Sequence, residues 1–274
     1  MKYADLHIHS SYSDGYLSPE EIVNLAKKKG IKCISITDHD TIVSQYICKE
    51  QYDGINIIPG IEFSTEFNGM EIHILGYFLD INNSNLINAV NRLRESRIER
   101  TREILRKLKE LNINIDIEEV TIDMSSSIGR GNIANVMVEK GYVSNFKEAF
   151  TNYLMQGKYA YVKGEKLSFK EVLSIINESG GLAVLAHPGK IYRSLEVSNI
   201  IKELKCYGLK GLEVYHPSHS KEQINAFYNM SKKYKLFITG GSDFHGSNNS
   251  DSLLGSQGIN EVLLEKLINF KHRS

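Results

Sequence analysis

Six of the nine histidines in this 274-residue chain sit at the ends of apolar, strand-like runs, each beside or near a carboxylate. In order, the motifs are Asp5-Leu6-His7-Ile8-His9 with Asp14, Thr37-Asp38-His39-Asp40, Gly60-Ile61-Glu62, Glu71-Ile72-His73, Ala186-His187-Pro188 and Gly241-Ser242-Asp243-Phe244-His245. A folded interior does not accept so many imidazoles and carboxylates from separate strands without a cation to balance them. The chain therefore has to gather its strand ends at one place, at the end of a barrel or a sheet, and the pattern reads as a metal cluster.

Spacing supports this. Side chains alternate faces along a strand, so Asp5, His7 and His9 point the same way, with about 6.5–7 Å between alternate Cα atoms. Two such imidazoles can grip one ion or two adjacent ions, while Asp5 can stand behind one of them and accept its other ring N–H. Asp243 and His245 repeat the geometry. Each motif also has an ordinary reading. His39, Asp38 or Asp40 can cap a helix starting at Asp40 or Thr41. Glu62 and His73 can lie on half-exposed strands, and His187 can simply end a buried strand before Pro188. Singly these are plausible; jointly they leave too many polar groups inside.

The formal net charge is zero, so no long-range field advertises a membrane or a long nucleic-acid duplex, and any contact with a polyanion is local. Cys33, Cys48 and Cys206 are scattered and lie outside every motif, as expected of reduced thiols in a cytoplasmic protein. No run approaches the roughly 18 apolar residues of a membrane span, so neither a signal peptide nor a membrane helix is expected.

Strands are predicted at Lys2 to His7, Lys32 to Thr37, Ile55 to Pro59, Glu62 to Phe67, Glu71 to Leu79, Leu182 to Ala186, Gly211 to Tyr215 and Leu236 to Thr239. Helices fit Pro19 to Lys29, Thr41 to Glu50, Phe169 to Ser179, Leu195 to Tyr207, Lys221 to Tyr234 and Asn260 to Phe270. Ser18-Pro19-Glu20-Glu21 has the form of a capping box with proline at the first helical position, and Gly30 ends that helix. Strand–helix alternation points to a parallel sheet, where functional groups gather at the carboxyl ends of the strands.

Between Ile81 and Val162 the texture turns helical. A long helix from Ser84 to Leu111 carries Leu86, Val90, Leu93, Ile104, Leu108 and Leu111 at core spacing, interrupted by Arg97 and Arg100 on one shared face. Further helices fit Ile133 to Lys140 and Asn145 to Leu154. This gives a discontinuous domain, 1–80 with 163–274, and a helical insertion, 81–162, covering the site.

The ordered set Asp-Leu-His-x-His-Ser, Ser-Asp-Gly, Thr-Asp-His-Asp, Gly-x-Glu, Glu-Ile-His, Ala-His-Pro and Ser-Asp-Phe-His resembles the PHP (polymerase and histidinol phosphatase) superfamily of metal-dependent phosphoesterases. Within it, the insertion, Gly157-Lys158-Tyr159-Ala160-Tyr161-Val162 and Glu213-Val214-Tyr215 resemble the branch acting on 3′,5′-nucleoside bisphosphates and the 5′ ends of short RNAs. The resemblance implies an α/β fold, a distorted seven-stranded (β/α)7 barrel, with a trinuclear site. His7, His9, Glu62 and Asp243 would hold the first ion, Glu62, His73 and His187 the second, and Asp14, His39 and His245 the third. Glu62 would bridge two of them.

Imidazoles mixed with carboxylates suit two to three divalent ions of Mn, Fe or Zn, and ligand type does not choose among these. The expected chemistry is attack of a metal-bound hydroxide on phosphorus, with Asp14, His39, Glu62, His187, Asp243 and His245 at the reacting centre. Arg130 is the first candidate for a phosphate clamp, with Arg97 and Arg100 reaching from the long helix, although a solvated basic face also explains those two. The family's usual histidine two residues after this arginine is Asn132 here, which can donate a hydrogen bond but not a proton. His216 is a candidate replacement, while His219 reads as an exposed loop histidine. Histidinol-phosphate phosphatase and a metal-stabilised binding module remain the alternatives. The oligomeric state is open.

Overall fold

The computed structural model describes residues 3–48, 54–121, 126–191, 197–246 and 253–271. Lys2, Glu50 and Leu195, which end expected elements, lie outside them. Strands β1 (Ala4–Ile8), β2 (Cys33–Ile36) and β3 (Asn56–Ile57) form one parallel sheet in that order. The second sheet contains β4 (Gly60–Phe67), β5 (Met70–Tyr77), β6 (Leu167–Ser168), β7 (Leu182–Leu185), β8 (Gly211–Tyr215) and β9 (Phe237–Gly240), in the order β6-β4-β5-β7-β8-β9. Isolated bridges join the sheets on both sides, His39 with Glu62 and Ile8 with Phe244.

The expectation of a parallel sheet needs correcting at its centre. β4 and β5 form an antiparallel hairpin, and β5 is also antiparallel to β7. The reason is local: Asn68 and Gly69 both have positive φ, 48° and 81°, as an Asn-Gly turn between two strands favours. No helix separates these strands, so no crossover can return the chain to a parallel course. Glu62 and His73 consequently come from the body of a hairpin, while the other motifs follow strand ends.

The helices cover the outside. The capping box of α1 (Pro19–Lys28) forms as expected: Ser18 Oγ accepts from Glu21 N, and Glu21 accepts from Ser18 N. α2 is confined to Val43–Ile47 and has no side-chain cap, so neither Asp38 nor Asp40 plays that part. Helix α3 (Ser84–Glu110) is capped by Asn83 and runs unbroken through Arg97 and Arg100. A short α4 (Ile117–Val120), unforeseen, precedes α5 (Arg130–Glu139), which starts three residues before the expected Ile133. The segment expected as one helix to Leu154 divides into α6 (Phe146–Ala149) and a π-turn (Phe150–Leu154). Helices α7 (Phe169–Glu178), α8 (Val197–Cys206), α9 (Lys221–Tyr234) and α10 (Glu261–Lys271) complete the chain order.

Helix α3 serves two cores. Leu86, Val90 and Leu93 pack with Ile61, Phe63, Ile74, Leu185 and Leu212 of the sheet and its helices. Ile104, Leu105 and Leu108 pack instead with Ile133, Met137, Leu154 and Ala160. The apolar stripe is interrupted between these halves, which leaves the two arginines of that turn for another use. No helix among the described residues is long and apolar enough to cross a membrane.

Candidate active site

All nine candidate metal ligands converge. Their ligand-type atoms form four overlapping groups, His9–Asp14–His39–His245, His7–His9–Asp243, His7–Glu62–His187 and His39–Glu62–His73, with atoms in each group within 4.8 Å of one another. Glu62 is the centre. Its Oε1 lies 2.9 Å from both His73 Nδ1 and His187 Nε2, and its Oε2 lies 3.3 Å from the Nε2 atoms of His7 and His9 and 3.1 Å from His39 Nδ1. His73 therefore falls beside His39 as well as His187, a different grouping from the one that the resemblance implies.

Two carboxylates from apolar strands fix the loops around this centre. Asp38 accepts from Ser10 N, Ser10 Oγ and Ser13 Oγ, holding the turn that carries Asp14. Asp5 accepts from Ser242 N, Ser242 Oγ and Gly255 N, holding the loop that carries Asp243. Asp5 thus stands behind a backbone turn and not behind an imidazole. Glu213, quoted in the sequence only as part of a motif, takes that place: its Oε1 is 3.0 Å from His7 Nδ1, while Oε2 accepts from His187 N at 2.7 Å. A carboxylate in the middle of the buried Gly-Leu-Glu-Val-Tyr strand was the available signal.

Three site residues adopt positive φ without being glycine: Asp40 at 54°, His187 at 23° and Asp243 at 51°. Such conformations cost of order 1–3 kcal/mol each and persist where surrounding structure over-determines them. His219 departs from its expected exposure. It is buried, its Nδ1 is paired with Val214 O at 2.9 Å and its Nε2 accepts from Gly189 N at 3.1 Å, so it supports the turn after His187. His216 is buried against Asp243, 3.2 Å from Oδ2, which Lys190 also meets at 2.6 Å.

The donor set fits divalent cations. His7 Nε2, both ring nitrogens of His9, His39 Nδ1, Asp14 Oδ1 and Glu62 Oε2 are buried without a hydrogen-bond partner, a cost that a cation would relieve. The electrostatics agree. Burial pulls His39 and His187 down to about 4 despite Glu62. Burial would lower His9 and His73 too, but Asp243 and Glu62 carry His9 up to about 10, and Glu62 with Glu71 carries His73 up to about 9. Imidazole and carboxylate donors without thiolate suit divalent ions.

A cavity of about 210 Å³ opens beside the cluster and is lined both by Asp14, His39 and His73 and by Arg97, Arg100, Arg130 and Lys166. Arg97 Nε donates to Asp40 Oδ2 at 3.0 Å. Arg100 Nε donates to Val162 O at 2.9 Å, and Arg130 Nη1 to Leu154 O at 3.3 Å. Burial, then the positive fields of Arg130 and Arg97, lower Arg100 to about 10. Asn132 also borders the cavity, but its amide is engaged: Oδ1 accepts from Gly129 N and Nδ2 donates to Ser13 O at 2.7 Å. His216 is outside this lining.

Residues 5–161 match the PHP domain family, and the chain belongs to it. It is 33% identical over 249 residues to a 5′-3′ exoribonuclease of Haemophilus influenzae, covering 89% of this chain and 90% of that one. It is 31% identical over 251 residues to a 3′,5′-nucleoside bisphosphate phosphatase of Chromobacterium violaceum, covering 89% and 88%. Among solved structures, an amidohydrolase from Chromobacterium violaceum with bound sulfate and no metal superposes with a TM-score of 0.88 at 27% identity, over 98% of this chain and 96% of that one.

Proposed function

We propose that this chain is a metal-dependent phosphoesterase of nucleotides, acting as a 3′,5′-nucleoside bisphosphate phosphatase, a 5′-3′ exoribonuclease on short RNA, or both. One observation carries the reading: a single cavity is lined both by Asp14, His39 and His73 of the imidazole–carboxylate cluster and by three arginines. A substrate with two phosphates satisfies both, and the similarity to the exoribonuclease and the bisphosphatase supports it. Two to three divalent ions would be held by His7, His9, Asp14, His39, Glu62, His73, His187, Asp243 and His245. Bound there, they supply an activated water and neutralise charge on the phosphoryl group.

The protein's own share is positioning. Glu62 draws five imidazoles around one carboxylate, and Glu213 orients His7 and the backbone of His187. His216 and Lys190 hold Asp243. Arg130, Arg100 and Arg97 grip the substrate's other phosphate, Arg97 being kept in place by Asp40 until a phosphate arrives. We read the two sheets and their bridges as one distorted ring of seven strands, β1, β2, β4, β5, β7, β8 and β9. Residues 81–162 form the insertion over its mouth, and 1–80 with 163–274 form the barrel.

A phosphate-release panel across Mn²⁺, Fe²⁺ and Zn²⁺ tests the reading, with 3′,5′-bisphosphates, 5′-phosphorylated oligoribonucleotides and histidinol phosphate as substrates. The first two are expected to be cleaved. Preference for histidinol phosphate would overturn the proposal.

A further inference from the structure

We infer that Phe146 is a platform on which the nucleobase of the substrate stacks, an inference that rests on the nucleotide reading above. The cavity, at about 210 Å³, is smaller than the roughly 300 Å³ at which pockets for drug-sized ligands begin. That is room for a phosphorylated sugar but not for its base as well. With one phosphate at the imidazole–carboxylate side and the other at the arginines, the base has to lie at the mouth.

Phe146 is placed to receive it. This ring lines the cavity and yet is 43% exposed, at the first residue of α6. Its centroid lies 5.0 Å from that of Phe150, four residues on, at an interplanar angle of 33°. The Arg130 guanidinium in turn sits over the Phe150 ring at 5.6 Å. A continuous run of π-faces therefore leads from the phosphate clamp outward. Helical i, i+4 spacing brings the two rings together, Phe150 N donating to Phe146 O, and the chain then widens into a π-turn, with Met155 N donating to Phe150 O at 3.0 Å, a conformation frequent at functional sites. Every base has a π-face, so such a platform accepts any of them without reading sequence.

The chain contains no tryptophan, so Phe146→Trp places one fluorescent reporter at the platform. In the zinc-loaded protein, adenosine 3′,5′-bisphosphate is expected to quench this reporter, and ribose 3,5-bisphosphate, which lacks a base, is not. Phe146→Ala is expected to lower the ratio of kcat/KM for the adenosine compound over the abasic one by roughly 5- to 150-fold, and Phe146→Trp to keep that ratio. Quenching by both compounds or by neither, with the ratio unchanged in Phe146→Ala, overturns the platform. If the unmutated protein hydrolyses neither compound while the adenosine compound alone quenches, the platform stands and the phosphoesterase reading falls.

Discussion

Nine side chains from strands, strand ends and a hairpin gather around Glu62, and three arginines from helix α3 and the start of α5 share a cavity with three of them, Asp14, His39 and His73. The first group is over-determined. Asp5, Asp38 and Glu213 are all buried and each holds a loop or a ring in place. On the arginine side, Arg100 and Arg130 each donate to one backbone carbonyl, Arg130 also sits over Phe150 and Tyr161, and Arg97 donates to Asp40 and Ser64. On the proposed reading the difference separates two tasks: a centre whose donor atoms tolerate little displacement, and a clamp whose long side chains can adjust to the substrate.

The largest effect is expected at the point where the clusters meet. Glu62→Gln should cost more than about a hundredfold in activity and at least one bound ion, since even partners of metal ligands are worth roughly 10–100-fold. Metal analysis with phosphate-release kinetics decides it, and retention of both would make Glu62 an ordinary strand residue. The arginine side should behave differently. Arg130→Ala removes a charged, partly desolvated contact of about 2–5 kcal/mol, on the order of tens to thousands-fold in kcat/KM. That loss should fall on a 3′,5′-bisphosphate or 5′-phosphorylated RNA far more than on p-nitrophenyl phosphate, with metal content unchanged. Equal losses on both would move Arg130 to the chemical step and erase the division of labour.

Glu213→Gln sharpens the comparison from the rigid side. Losing the ionic partner of His7 should weaken metal affinity by roughly 10–100-fold while leaving the ratio between the two substrate types unaltered. The smallest effect is expected at the stitch between the sides, where Asn132 Nδ2 reaches Ser13 O beside Asp14. Asn132→Ala should lower stability by about 1–3 kcal/mol in denaturant unfolding, through two lost hydrogen bonds. Full metal loading should survive. Metal loss in this variant would show that the segment carrying Asn132 helps build the centre.

The sequence by itself determined which side chains meet. A strand places alternate residues on one face, so His7 and His9 were committed together, and buried charge forces separate motifs to share one space. The capping box at Ser18 and the long helix from Ser84 were equally legible, because both depend on neighbours in sequence. Only the tertiary structure decided the rest. Asp5 and Glu213 look alike in sequence, each a carboxylate within an apolar strand. Strand pairing puts one behind a turn and the other behind an imidazole. His219 reads as an exposed loop residue until its loop folds under the turn at Gly189, and nothing near Asn132 in sequence announces its bond to Ser13 O. Partners that lie 119 residues apart for Asn132 and Ser13, or 206 for Glu213 and His7, are chosen by register and packing, to which local periodicity gives no access.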